Sequence, residues 1–175
     1  NMSTTLEMSF LARMYHATGQ VIYRQAFMRG FEYLLDAQYD NGGWPQYYPL
    51  KKAHKDGSPD YSVHITYNDN AMVNVIKLMR TLAEGDKAPY DALKFSDVDK
   101  IRAKESYEKG IQCILNSQIR KDGKLTVWCQ QHHFETLEPV QARAYEFPSF
   151  TAEGETVELI KLLMEVKNPS PQVMA

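Results

Sequence analysis

Apolar residues recur along this chain at helical spacing, in blocks separated by polar, glycine-rich loops. The first block repeats at i, i+4, i+5, i+8 and i+9 and predicts one buried helical face: Leu6, Phe10, Leu11, Met14 and Tyr15. A second apolar block over residues 21–35 predicts another helix. It ends at "QYDNGGWPQYYP", residues 38–49, where two glycines and two prolines do not permit a helix.

The same plan then returns. Residues 71–82 predict a helix that ends at Gly85, a charged connection follows, and residues 101–118 predict its partner. Gln38 and Gln118 occupy matching helix ends, which gives an offset of 80 residues (118 − 38).

A third unit begins near Thr156 and stops before Asn168 and Pro169. Helix pairs of this kind bury their apolar faces only against neighbouring pairs. The pattern therefore predicts an all-α fold, a partial (α/α) toroid of antiparallel helix pairs. Irregular loops gather at one end, and strands are short at most, with residues 124–128 the best candidate.

Composition narrows the functional classes. The chain has 175 residues, enough for one domain with a sizeable core, and a formal net charge of -2, so we expect no nucleic-acid partner. No apolar run approaches the ~20 residues that span a bilayer, so we expect no membrane partner. Cys113 and Cys129 fit neither a disulfide framework nor a zinc site, and we expect both to be buried apolar residues.

The loop "NGGWPQYYP", residues 41–49, offers three rings after a tight Asn-Gly-Gly turn. Trp44, Tyr47 and Tyr48 could cap the hydrophobic core or form a platform for the C–H faces of sugars. The residues alone leave both interpretations open.

The segment "HITYNDN", residues 64–70, combines the anionic Asp69 with the neutral amides Asn68 and Asn70. Hard cations such as calcium bind oxygen groups of this kind, although the spacing is not that of an EF-hand. Judged locally, a cap for the helix that starts at Ala71 is the stronger interpretation.

Two further segments carry polar chemistry. In "WCQQHH", residues 128–133, hydrogen bonding by Gln131 and His132 in a polar cleft is a better hypothesis than a zinc site. In "ARAYEFPS", residues 142–149, Arg143 suits recognition of a carboxylate by paired donors. The alternative is a surface ion pair with Glu146, worth under ~1 kcal/mol.

Taken together and in this order, the four segments resemble the pectate lyases of polysaccharide lyase family ten, over essentially the whole chain. The resemblance implies a helical toroid whose loop-face cleft performs calcium-dependent β-elimination of α-1,4-polygalacturonate, giving 4,5-unsaturated oligogalacturonates. It also implies Arg143 as the base and Asp69 as a ligand of Ca²⁺. The substrate contacts that it implies are Trp44, His64, Asn68, Asn70, Gln131 and His132.

The family pattern also extends beyond this chain. It places an aspartate directly before Asn1 and further basic active-site residues after Ala175. We therefore expect residues 1–175 to be a single partial catalytic domain, incomplete at both ends. A pectin-degrading enzyme is expected to be secreted or periplasmic, and we expect a monomer.

Other functions remain open at this point. A helical-toroid glycoside hydrolase needs two carboxylates across a cleft, and Asp69 and Glu146 are candidates. A terpene cyclase needs an Asp-rich motif, which the sequence lacks. A polyuronate-binding repeat domain without catalysis is the third alternative.

Overall fold

The structure, a computed structural model, describes residues 2–53, 60–141 and 154–175. Helices dominate it, as predicted. They are α1 (Met2–Thr18), α2 (Val21–Asp36), α3 (Ala71–Glu84), α4 (Asp97–Ser117), α5 (Gly154–Met164) and α6 (Pro171–Met174), with 3-10 turns at Tyr61–Val63, Asn68–Asn70 and Tyr90–Leu93. In the described part of the chain, none of these helices is long and apolar enough to cross a membrane.

Helices α1 with α2 and α3 with α4 form two packed pairs, and glycine permits the close approach in each. A Cβ at Gly30 of α2 would lie 3.0 Å from Met8 Cγ, and one at Gly110 of α4 would lie 2.8 Å from Ile76 Cγ1. These two glycines are separated by the offset that relates Gln38 to Gln118. The sequence repeat is therefore also a packing repeat.

The two tryptophans confirm the same relationship. Trp44 Nε1 donates to the carbonyl of Leu34 at 2.8 Å, and Trp128 Nε1 donates to that of Ile114 at 2.7 Å. Leu34 and Ile114 again lie one repeat apart, each in the last turn of the second helix of its pair. Carbonyls in the last turn of a helix lack the regular backbone partner, so the indole that follows helps to satisfy each helix end; the Ser117 hydroxyl also donates to the Ile114 carbonyl, at 3.2 Å.

Some sequence predictions need correction. Leu6 and Phe10 were expected on the buried face of α1, yet they are 61% and 51% exposed. The buried positions are instead Met8 and Ala12, because that face of α1 meets Gly30 of α2. Periodicity correctly indicated a helix but misplaced its buried stripe.

The second helix of the second pair begins earlier than expected, at Asp97, because Ser96 caps it by accepting from the Asp99 N–H group at 3.1 Å. The strands are β1 (Ile65–Thr66), β2 (Arg120–Lys121), β3 (Lys124–Leu125) and β4 (Gln131–His132). β2 and β3 form a hairpin, and the strand predicted over residues 124–128 extends only to Leu125.

Candidate functional site

Three of the four polar segments meet at one short sheet at the loop end of the helix pairs. β1 pairs antiparallel with β4, and Thr66 lies opposite Gln131. An isolated bridge joins Pro45, from the loop after α2, to Ile65. The loops that follow α2, precede α3 and follow α4 are therefore neighbours, as the helix-pair arrangement predicted.

The fourth segment, residues 142–149, lies outside the described residues, and with it the predicted base, Arg143. The chain is described up to Gln141. Just before that point, the Val140 N–H group donates to the Gln131 carbonyl at 3.2 Å.

Asp69 lies in a tight 3-10 turn that the neighbouring loop holds in place. The N–H groups of Tyr67 and Asn68 both donate to the carbonyl of Gln130, at 2.9 and 3.2 Å. The Asn68 side-chain oxygen accepts from the Asp69 N–H group at 3.1 Å. The turn is thus anchored through its backbone, which leaves the Asp69 side chain without a part in forming it.

The backbone of this turn is unusual because two consecutive residues are left-handed. Asp69 and Asn70 have φ angles of 55° and 56°. Asp and Asn tolerate this conformation better than most residues. Strained backbone of this kind nevertheless persists only where surrounding contacts impose it, and it concentrates at functional sites.

The conformation decides where the polar groups point. The Asp69 carboxylate is exposed and has no hydrogen-bond or ion-pair partner among the described residues. Asn70 precedes α3 as its N-cap but makes no side-chain cap hydrogen bond. The helix-capping role considered for this segment is therefore not the one that these side chains perform.

Asn70 Oδ1 is buried and has no hydrogen-bond partner among the described residues, so this carbonyl oxygen has lost contact with water without gaining a donor there. Such a group costs roughly 1–3 kcal/mol when left unsatisfied. Asp69 and Asn70 both line a groove of about 430 Å³ between α1 and α3, which Asn74 of α3 also lines. The groove thus brings together a carboxylate and amide groups; Lys77 also lines it and is paired with Glu158 at 3.1 Å.

This donor set is chemically suited to a hard cation. Calcium takes six to eight oxygen ligands, drawn from carboxylates, amide and backbone carbonyls and water. Within residues 2–53, 60–141 and 154–175, no group of three or more His, Cys, Asp or Glu side chains is arranged to hold a metal ion. Asp69 and Asn70 therefore fit calcium as part of a ligand set.

Beneath the turn, Tyr67 is fully buried. Its hydroxyl lies 2.7 Å from Ser117 Oγ of α4, and burial raises its pKa well above the usual value. The Tyr67 ring meets His132 edge-on with centroids 5.4 Å apart. The phenol therefore stays neutral and ties the turn to the core.

His132, a predicted substrate contact, has a structural role instead. Its Nε2 accepts from the Cys129 N–H group at 3.0 Å, and its Nδ1 lies 2.7 Å from the Leu137 carbonyl, to which it donates. The residue is fully buried. Both ring nitrogens are occupied by backbone, so the ring offers no polar atom to a substrate.

Trp44 is likewise part of the core. It is 4% exposed, and its indole N–H group is satisfied by the Leu34 carbonyl. Of the two interpretations that the sequence left open, the structure supports the core cap. The predicted contact between Trp44 and substrate is corrected accordingly, because no ring face is available.

The other predicted substrate contacts differ in how much of their side chains is exposed. Asn68 is half-buried beside Asp69. Gln131 is buried in β4, and His64 is buried directly before β1. His64 Nδ1 has no hydrogen-bond partner within the described ranges. Burial, and secondarily the charge of nearby His133, lower the pKa of His64, so this imidazole is neutral at neutral pH.

Comparisons with known proteins agree with this architecture. A family model described as pectic acid lyase matches residues 1–175. A solved family 10 polysaccharide lyase from Cellvibrio cellulosa is 37% identical with a TM-score of 0.87, over 97% of this chain and 50% of that one. A mutant of a family 10 polysaccharide lyase from Cellvibrio cellulosa, solved in complex with trigalacturonic acid, is 37% identical with a TM-score of 0.88, over 98% and 50%.

The chain thus spans about half the length of these two solved structures. No curated protein matches it. The family match nevertheless covers every residue, and the likeness to the solved lyases extends over nearly the whole chain. The chain belongs to the pectic acid lyase family.

Proposed function

We propose that this chain forms part of the active cleft of a pectate lyase that cleaves α-1,4-polygalacturonate by calcium-dependent β-elimination. The observation that carries the proposal is the left-handed turn at Asp69. It presents a carboxylate beside the buried Oδ1 of Asn70, and neither group has a partner in the part of the chain that the structure describes. Family membership and the trigalacturonic acid complex of the Cellvibrio lyase support the choice of substrate.

Asp69 and Asn70 would hold the calcium ion, with substrate and water completing its ligands. The ion would supply Lewis acidity, which stabilises negative charge on the uronate carboxylate. The protein contributes preorganisation. Because Gln130 and Asn68 fix the backbone around Asp69, little conformational freedom remains to be lost on binding.

The elimination itself needs a base and a leaving group. The proton on C5 is α to the carboxylate. Its removal leaves an electron pair that forms the C4=C5 double bond as the C4–O bond breaks, and the departing oxygen takes up a proton. The family resemblance assigns the base role to Arg143. An arginine has a pKa above ~12, so the proposal includes an alkaline optimum.

The test compares two exposed aspartates that share a backbone conformation. Asp122, in the turn between β2 and β3, has φ 52° and is exposed, but it lies outside the groove. We expect Asp69→Ala to lose calcium affinity by calorimetry and to lose formation of the ultraviolet-absorbing unsaturated product. Asp122→Ala should retain both. Wild-type calcium affinity in Asp69→Ala would refute the metal assignment.

Product chemistry separates the alternatives. A hydrolase releases new reducing ends without unsaturated product, and a binding domain releases neither. A chelator should abolish product formation by the wild-type protein. Undiminished elimination in chelator would contradict the calcium dependence. Since polymeric pectate does not enter cells, the proposal also includes a secreted or periplasmic location.

A further inference from the structure

The loop face carries a group of stacked rings that the proposed chemistry does not use. His133 and Phe134 stack with centroids 4.7 Å apart and planes inclined by 23°. Tyr39 lies 5.8 Å from Phe134, and His64 lies 5.4 Å from His133. We call Tyr39, His133 and Phe134, with His64 beneath them, the ring platform.

The platform is not part of the main hydrophobic core. His133 and Phe134 are half-buried and do not belong to the core cluster, which Tyr39 only borders. Both rings therefore keep part of their surface open to solvent. Aromatic rings of this size gain most of their free energy from burial, so an open stack has contact area left for a partner.

The rings are also held in place. Asn41 Nδ2 donates to the Phe134 carbonyl at 2.7 Å, and the Tyr39 hydroxyl donates to the Val63 carbonyl at 2.7 Å. His133 Nδ1 accepts from the N–H groups of Glu135 and Thr136, at 3.2 and 3.3 Å. A ligand that stacks on these rings has little side-chain motion to freeze.

The hydrogen bonds of His133 also decide which polar group the platform offers to a ligand at its edge. Because His133 Nδ1 is an acceptor, the neutral imidazole carries its proton on Nε2 and offers a donor there. A flat apolar surface with a polar donor at its edge complements a pyranose ring. Such a ring has an apolar C–H face and a rim of hydroxyl or carboxylate oxygens.

The platform lies along the sheet from the proposed calcium site. The pairing of Ile65 with His132 places His133 opposite His64, and Asp69 follows His64 by five residues. At a strand rise of ~3.3 Å per residue, His64 and Asp69 are at most roughly 17 Å apart along the chain. The His133 ring lies 5.4 Å from the His64 ring. A polymer bound at one site can therefore reach the other.

We propose that the ring platform of Tyr39, His133 and Phe134 is a distal subsite that stacks a galacturonate residue of a long substrate chain, away from the scissile bond. The inference rests on the proposed function for the identity of the polymer. It adds a function for Tyr39, His133 and Phe134, which are not among the predicted site residues; only His64 beneath them is.

The test is affinity electrophoresis of the whole protein in gels that contain polygalacturonate and a chelator, which reads binding without turnover. We expect Phe134→Ala to weaken affinity for the polymer about 3- to 10-fold, the range for one aromatic contact. Phe134→Leu keeps apolar volume without a flat ring and should lose as much, whereas Phe134→Trp should restore binding. Phe10→Ala removes a ring of the same type from α1, outside the platform, and is the control; Phe10 is 51% exposed and so more open than Phe134.

Lyase turnover of trigalacturonate separates this inference from the proposed function. We expect Phe134→Ala to raise KM for the polymer with kcat unchanged and to leave kinetics on trigalacturonate as in the wild type. If Phe134→Ala or Phe134→Leu migrates as the wild type does, the subsite is overturned while the lyase assignment stands. If the polymer retards the wild type and not Phe134→Ala, yet no unsaturated product forms, the subsite stands and the lyase assignment fails.

Discussion

Replacing Gly42 with alanine should show how the loop of the first repeat is locked onto the second. Gly42 has a φ of +90°, where side chains are strained, and a Cβ there would overlap the carbonyl group of Lys109. That carbonyl belongs to the middle of α4, so it cannot retreat without breaking helical hydrogen bonds. The Gly42 carbonyl also accepts from Gln38 Nε2 at 3.0 Å, which limits movement of the loop.

The magnitude follows from two contributions. Left-handed strain for a non-glycine residue costs roughly 1–2 kcal/mol, and overpacking adds roughly 1–3 kcal/mol. We expect Gly42→Ala to lose about 3 kcal/mol of unfolding free energy, or about 10 °C in Tm for a chain of this size.

Gly123→Ala isolates the first contribution. Gly123 has a φ of +75° and no atom within 4 Å of an added Cβ, so only strain applies. We expect a loss of about 1 kcal/mol there. Urea unfolding followed by the fluorescence of the buried Trp44 and Trp128 measures both variants. Equal losses in the two variants would refute the claim that contact with Lys109 matters.

Three further predictions concern the buried groups around the site. Tyr67→Phe should cost about 1 kcal/mol in urea unfolding, because the hydrogen bond with Ser117 is lost, and should weaken calcium binding in calorimetry; wild-type values for both would contradict its anchoring role. Trp44→Phe should lower stability by roughly 1–2 kcal/mol, since the Leu34 carbonyl loses its donor, while affinity for polygalacturonate stays unchanged; the reverse pattern would restore Trp44 as a sugar platform. Burial holds the pKa of His132 below its ordinary 6.5, so its stabilising contribution is complete above about pH 6.5 and is lost as the pH falls through the lower folded-state value. Unfolding free energies at several pH values should therefore fall more steeply on acidification in the wild type than in His132→Gln, and equal slopes would refute the assignment.

Much of the fold was predictable because helical periodicity is a local property. Residues 21–35 and 71–82 showed the spacing of amphipathic helices, and α2 and α3 are found there. The repeat of Gln38 at Gln118 indicated the second helix pair. Gly30 and Gly110 are separated by the same repeat as Gln38 and Gln118. This pair of glycines was a sequence signal for close helix packing, which hydrophobic periodicity alone does not reveal.

The site was predictable to the level of segments, not of individual contacts. The segments around Asp69 and Gln131 do meet, as their positions at helix ends implied. The platform residues His133 and Phe134 were missed, because a ring in a loop carries no periodic pattern. Their one sequence signal was a run of rings directly after Gln131 and His132.

The sequence by itself determined where helices form, that they come in pairs, and that the polar loops gather at one end. These features depend on spacing within a few turns of one helix and on the repetition of that spacing. The family motifs also depend only on residue order, so the resemblance to pectate lyases needed no coordinates.

Only the tertiary structure decided which polar and aromatic groups remain available for binding. The polar ring atoms of Trp44 and His132 are occupied by backbone groups 3 to 10 residues away, across a helix end and a loop, and no periodic pattern reports such partners. Conversely, the Gln130 carbonyl holds the turn in which Asp69 is left-handed and its carboxylate free. Burial and hydrogen bonding are decided by what folds against a residue, and therefore only the assembled fold separates the core from the cleft.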